Sequence, residues 1–179
     1  QLLHPMFDLN VLSKAKVIAE GLAASPGAAS GKIYFNATDI KKYSKDFKTI
    51  LVRKETSPED IEGMHFADGI LTERGGMTSH AAVVARGMGK CCVSGVDSII
   101  INEKNKTILT STGKILHEGD ELSLDGSTGK VYLGSIKTTE PTLNSDFETL
   151  LKWADKYRNL DIRCNADTPK DALTARKFG

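Results

Sequence analysis

The sequence predicts an α/β fold, and three stretches predict it. Residues 69–72 (Gly-Ile-Leu-Thr) and 91–94 (Cys-Cys-Val-Ser) are apolar runs of strand length, and between them lies a helix-forming segment that starts at His80. A strand, loop, helix, strand order is a parallel crossover, because parallel neighbours need a long connection that packs back over the sheet. Residues 99–132 instead alternate short β runs with polar turns at 102–106, 111–114, 118–120 and 125–129, the pattern of an antiparallel meander.

The elements follow in chain order. Residues 8–20 set Leu9, Leu12, Ala15, Lys16 and Ala19 at loosely helical spacing, which predicts a short helix in a leading linker. Residues 33–35 and 50–52 are strand-like, and the charged stretch 39–48 between them puts Lys41, Lys42, Lys45 and Lys48 on a solvated helix face. Ser57-Pro58-Glu59-Asp60 is a helix start, with a capping Ser, a Pro in the first turn and acids that oppose the dipole. His65 falls on the helix that follows and is read as a packing or surface residue, and His117, at the third turn of the meander, as exposed and incidental. After Gly134 the composition is linker-like, and residues 146–157 then place Phe147, Leu150, Leu151, Ala154 and Tyr157 on one side of a helix.

Bulk properties exclude several classes of function. A chain of 179 residues can bury one good core with a fragment of a second domain. At 40% hydrophobic and 26% charged the composition is that of a globular protein, and a net charge of +1 leaves no nucleic-acid footprint. No apolar run is long enough to span a bilayer, so neither nucleic acid nor membrane is an expected partner. The start Gln1-Leu2-Leu3-His4-Pro5 has neither the pattern of a signal peptide nor an initiator Met, and the chain is read as a piece of a longer protein. Cys91, Cys92 and Cys164 form no metal-binding spacing; adjacent cysteines on a strand face opposite ways, which predicts reduced thiols in a reducing compartment.

The chemistry concentrates at Gly75-Gly76-Met77-Thr78-Ser79-His80, where one imidazole sits at the mouth of a helix behind a flexible glycine pair. The first N–H groups of a helix lack internal partners and its dipole is positive at that end, so an anion is bound there by backbone and field together. The same field favours the neutral imidazole, whose lone pair can attack phosphorus. Thr78 or Ser79 supplies the capping hydroxyl, residues 81–85 carry the helix, and Gly87 and Gly89 can end it. Two other glycine-rich segments are not nucleotide loops. Gly27-Ala28-Ala29-Ser30-Gly31-Lys32 is one residue short of the phosphate-loop spacing and lacks the Ser or Thr that would hold magnesium, and Gly126-Ser127-Thr128-Gly129-Lys130 is shorter still.

Residues 71–89, from Leu71-Thr72-Glu73-Arg74-Gly75-Gly76 through His80 to Met88-Gly89, resemble the phosphohistidine motif of the pyruvate, phosphate dikinases within the wider family of PEP-utilising enzymes. The resemblance continues through residues 25–32, 55–64 and 124–132 and covers nearly the whole chain. PEP synthases and enzyme I relatives share Gly-Gly-x-Thr-x-His but typically carry Arg where Met77 stands, and an Ile-Pro-Ala-type strand where Cys91-Cys92 stands. They are the alternative, together with a non-catalytic regulatory module whose histidine is vestigial.

The resemblance implies a compact, swivelling β/β/α phosphohistidine domain over residues 21–135. It is preceded by a linker (1–20) and followed by a helical linker (136–160) and the truncated start of a (β/α)8 barrel that binds PEP and pyruvate (161–179). It implies a carrier that takes the β-phosphate of ATP from an ATP-grasp domain onto His80 and passes it to pyruvate at the barrel, with Mg2+ held outside this chain and the full-length enzyme a homodimer. The fragment alone is expected to be inactive. Hydroxyls of Thr78 and Ser79, with the backbone at Gly76 and residues 79–81, including Ala81, can stabilise the phosphoryl oxygens. Arg74 complements their charge, and Arg86 lies further along in a supporting role, against a plain surface ion pair. In plant dikinases the Thr two residues before the histidine is phosphorylated to switch the enzyme off, which makes Thr78 the candidate regulatory position.

Overall fold

The structure, a computed structural model, describes residues 4–139, 145–160, 163, 164, 166 and 169–178. The chain divides into two compact units after residue 141. The first unit opens with β1 (Met6–Phe7), α1 (Leu9–Leu12), β2 (Val17–Glu20) and β3 (Leu22–Ser25). It continues through β4 (Ala28–Tyr34), α2 (Ala37–Tyr43), β5 (Thr49–Arg53), α3 (Ile61–Phe66), β6 (Gly69–Thr72), α4 (His80–Met88) and β7 (Cys91–Ser94). It closes with β8 (Ile99–Asn102), β9 (Thr107–Thr110), β10 (Ile115–His117), β11 (Glu121–Asp125), β12 (Lys130–Leu133) and β13 (Thr138–Thr139). The second unit holds α5 (Ser145–Tyr157) and α6 (Pro169–Phe178), with Leu150, Trp153, Tyr157 and Leu173 exposed.

An eight-stranded sheet in the order β2-β12-β11-β4-β5-β6-β7-β3 is the centre of the first unit. Strands β4 to β7 are parallel neighbours, each joined to the next by a helix. Their side chains alternate between two cores, as the period of a strand requires. Leu51, Ile70 and Cys92 pack with Ile40, Met64, Ala81, Ala82 and Ala85 on the helical side. Ile50, Val52, Leu71 and Val93 pack on the other side with Ile99, Ile101, Ile108 and Leu116 of the three-stranded sheet β10-β9-β8. Covered on both faces, β6 and β7 are buried at every position, which is why their sequences read as unbroken apolar runs. Lys106 stitches the turn after β8 to α2 and to the turn after β10, through Asp39 at 2.8 Å and Glu118 at 2.7 Å. That hydrogen bond from Lys106 holds the Asp39 carboxyl below its ordinary range.

Two sequence expectations are corrected. The helix predicted over residues 8–20 stops at Leu12, and Val17–Glu20 is strand β2, which pairs with β12 and buries Ile18 and Ala19. Sheet pairing and burial outweigh the weak helical spacing there. The meander predicted over residues 99–132 is split. Strands β8 to β10 form their own sheet, and β11 and β12 leave it to extend the main sheet antiparallel beside β4. The predicted helix over 146–157 is found as α5. The barrel strand expected near residues 160–167 lies mainly outside the described residues.

Candidate functional site

Strand β6 ends at Thr72, and the chain turns through Gly75, whose φ of +117° only glycine adopts without strain. The loop rests on a second backbone: a Cβ at Gly95, itself at φ +63°, would lie 2.5 Å from the Gly75 carbonyl oxygen. Ser79 then caps α4, in extended conformation and with its Oγ accepting from the Ala82 N–H at 3.4 Å. The structure therefore assigns the cap to Ser79; Thr78 is exposed, and no hydrogen bond among the described residues uses its hydroxyl. Gly89 ends the helix in the left-handed conformation at φ +64°, donating to Ala85 and Arg86 carbonyls. The small residues Ala81, Ala82 and Ala85 let α4 lie close on the sheet.

His80 is the first residue of α4 and is half-buried. Its Nδ1 lies 3.0 Å from the Oγ1 of Thr56, a buried residue 24 positions earlier in the chain. No hydrogen bond among the described residues engages its Nε2. Thr56 is itself held firmly. The next residue, Ser57, donates its N–H (2.9 Å) and Oγ (3.2 Å) to the Asp60 carboxylate, which also accepts from Arg53 Nε at 3.2 Å. Arg53 in turn donates to the Phe35 carbonyl and pairs with Glu103. Sequence reasoning missed Thr56. Its neighbours signal a helix start, but nothing local signals a partner 24 residues away.

The structure sorts the other predicted residues. The Ser79 N–H donates to the Gly76 carbonyl at 3.0 Å and the Ala82 N–H is taken by the cap, so the amides at the helix mouth left without a partner among the described residues are those of His80 and Ala81. Gly76 is exposed, and a Cβ there would meet nothing within 4 Å, which leaves the approach open. Arg74 is exposed, with Glu73 at 3.9 Å, and no hydrogen bond joins it to His80. Among the described residues Arg86 makes no ion pair: it donates to the Met77 carbonyl at 2.6 Å and the Ala24 carbonyl at 3.2 Å. His65 and His117 are exposed and lie outside this constellation. Among the described residues no three His, Cys, Asp or Glu side chains gather as a metal site would require, and no helix is long and apolar enough to cross a membrane.

Cys91 and Cys92 fall in opposite cores and are free thiols. Burial pushes both up to about 12, with Arg86 opposing the rise at Cys92. At about pH 8 roughly one such thiol in ten thousand is the reactive thiolate. Iodoacetamide is therefore expected to alkylate exposed Cys164 in the native chain and to spare Cys91 and Cys92 until denaturant is added, as read by peptide mass mapping. Native labelling of either buried thiol would contradict their placement.

Comparison with known proteins adds a family and several relatives. Residues 46–129 match the family described as PEP-utilising enzyme, mobile domain. The whole chain is 59% identical over 180 residues to a pyruvate, phosphate dikinase of Clostridium symbiosum, covering 20% of that protein. It is 56% identical to the chloroplastic pyruvate, phosphate dikinase of Flaveria pringlei and to chloroplastic pyruvate, phosphate dikinase 1 of Oryza sativa subsp. japonica, covering 19% of each. The chain thus spans about a fifth of the length of these relatives, which carry further segments. A solution structure of Enzyme I matches at a TM-score of 0.34 and 23% identity, covering 60% of this chain and 38% of that one, too loose a superposition to argue from.

Proposed function

We propose, from the premise that residues 46–129 belong to the mobile-domain family of PEP-utilising enzymes, that this chain is a phosphoryl carrier whose acceptor is His80 Nε2. One observation carries the reading: Thr56 engages Nδ1 of a histidine that opens a helix, while among the described residues no hydrogen bond engages its Nε2 or the amides of His80 and Ala81. In the tautomer that donates Nδ1–H to Thr56 Oγ1, the lone pair resides on Nε2 and attacks phosphorus. The Nε2–P bond forms as the P–O bond to the leaving group breaks, and the electron pair departs with that oxygen. The ring gains positive character during the attack, and the Thr56 oxygen steadies it by accepting from the Nδ1–H. The amides of His80 and Ala81, the hydroxyls of Thr78 and Ser79 and the open backbone at Gly76 face the phosphoryl oxygens, with Arg74 supplying charge at longer range.

The 59% identity supports the dikinase version of this chemistry over the PEP synthase alternative. In it, an ATP-grasp domain and a PEP/pyruvate barrel of the same polypeptide load and unload His80, so that ATP, phosphate and pyruvate become AMP, diphosphate and PEP. The proposed swivelling domain is wider than the expected residues 21–135 and takes in residues 4–139, because β2 pairs with β12 and β1 with β13 inside the first compact unit; a helical linker to residue 160 and a barrel starting at residue 161 are proposed to follow. Mg2+ belongs to the centres outside this chain, and no step on His80 is routed through a metal. Three free thiols, two of them buried, support a reducing compartment, whether cytoplasm or organelle. The test is to incubate the full-length polypeptide with ATP labelled in the β-phosphate. The label is expected to be acid-labile, base-stable and mapped to His80; label on any other residue, or none, overturns the reading.

A further inference from the structure

We propose that Arg86 is a positioning residue that keeps the helix mouth open for the phosphoryl group, an inference that rests on His80 as the acceptor. An α-helix grows backwards whenever the N–H of residue i finds the carbonyl of residue i−4. For Ala81 that carbonyl is Met77, for His80 it is Gly76, and for Ala82 it is Thr78. None of these pairings is made in this structure, and in each a group is engaged elsewhere. Gly76 O accepts from the Ser79 N–H at 3.0 Å, and the Ala82 N–H is taken by Ser79 Oγ at 3.4 Å. Met77 O accepts from Arg86 Nη2 at 2.6 Å.

Arg86 is well suited to that task. It lies on α4 itself, so its reach to Met77 moves with the helix, and its Nη1 anchors on Ala24 O of β3 at 3.2 Å. No carboxylate lies within 4.0 Å of it among the described residues, so its charge is spent on the two carbonyls. A charge-assisted bond of this length is stronger than the neutral Ala81–Met77 bond it displaces. Met77 and Thr78 are otherwise exposed, and this contact and the Ser79–Gly76 turn are the hydrogen bonds that shape the segment. Without Arg86, the Met77 carbonyl turns toward the Ala81 N–H. The mouth then loses a donor and gains a partial negative charge where the phosphoryl group must sit.

The test uses the 179-residue chain. Amide exchange followed by NMR should show Ala81 N–H exchanging freely in the wild type and about tenfold more slowly in Arg86→Ala, because the amide becomes paired. Phosphoramidate serves as a small donor: its P–N bond breaks, an imidazole nitrogen–phosphorus bond forms and ammonia leaves. Mass mapping in mild base then compares His80 with the exposed references His65 and His117 in the same molecules. The ratio of His80 labelling to theirs is expected to fall about tenfold in Arg86→Ala and to recover in part in Arg86→Lys, whose ammonium can reach one carbonyl. A variant with a lower Tm but unchanged Ala81 exchange and unchanged labelling ratio would overturn the proposal and leave Arg86 as a structural tie. If wild-type His80 is labelled no faster than His65 and His117, the carrier reading falls, and the Arg86 proposal with it.

Discussion

His80→Ala in the full-length polypeptide is expected to abolish both half-reactions, by about 10⁴-fold or more, while the domain still folds. Among His4, His65, His80 and His117, only His80 joins a helix N-terminus to a buried hydrogen-bond partner. Alanine removes the nitrogen proposed to form the covalent bond. The structural cost is small by comparison. His80 is half-buried, and its loss deletes one hydrogen bond and leaves the Thr56 hydroxyl unpaired, together about 1–3 kcal/mol. At about 2–4 °C per kcal/mol for a chain of this size, the Tm falls by several degrees and the far-UV circular dichroism is unchanged. Exchange of label between ATP and phosphate, or between pyruvate and PEP, that survived in this variant would remove His80 from the chemistry. Thr56→Val, which keeps the shape and deletes the oxygen, should slow phosphorylation without abolishing it, since the nucleophile remains and only its tautomer is released.

Thr78→Asp carries the second large effect. The Thr78 side chain is exposed, two residues before His80, and its hydroxyl makes no hydrogen bond among the described residues. Its replacement therefore costs the fold little, because the helix cap belongs to Ser79. On the proposed chemistry, a carboxylate at this position, next to the helix mouth, is expected to compete for the anion site and to repel the phosphoryl group. At ~5 Å with an effective dielectric of about 20, two unit charges oppose each other by roughly 3 kcal/mol, or on the order of a hundredfold in rate. Phosphothreonine, at about −1.5 to −2, would act more strongly. Thr78→Val and Thr78→Ser should retain most of the activity. The check is the rate of label transfer to His80 in the three variants, together with its salt dependence. Wild-type turnover in Thr78→Asp would mean that the mouth is not where the phosphoryl group binds.

Much of this molecule was legible in one dimension, because the signals concerned act over a few residues. The parallel unit β6-α4-β7 showed as two apolar runs around a glycine loop and a capped helix. Ser57 and Asp60 announced a helix start, Gly89 a helix end, and the polar turns from residue 102 to residue 129 fell where they were expected. The same local logic singled out His80, since a lone imidazole behind two glycines at a helix mouth needs no distant partner to be noticed. Tertiary structure decided whatever depended on pairing across the chain. Val17–Glu20 became a strand because β12 offered it an edge, and the meander divided because β11 found β4. Thr56 reached His80 across 24 positions, and Arg86 reached Ala24 across 62. Caps, turns and periodicity are set by bonds to near neighbours, so the order of residues determines them. Which carbonyl an arginine meets, or which hydroxyl orients a histidine, depends on how the sheet brings remote segments together, and only the packed fold determines that.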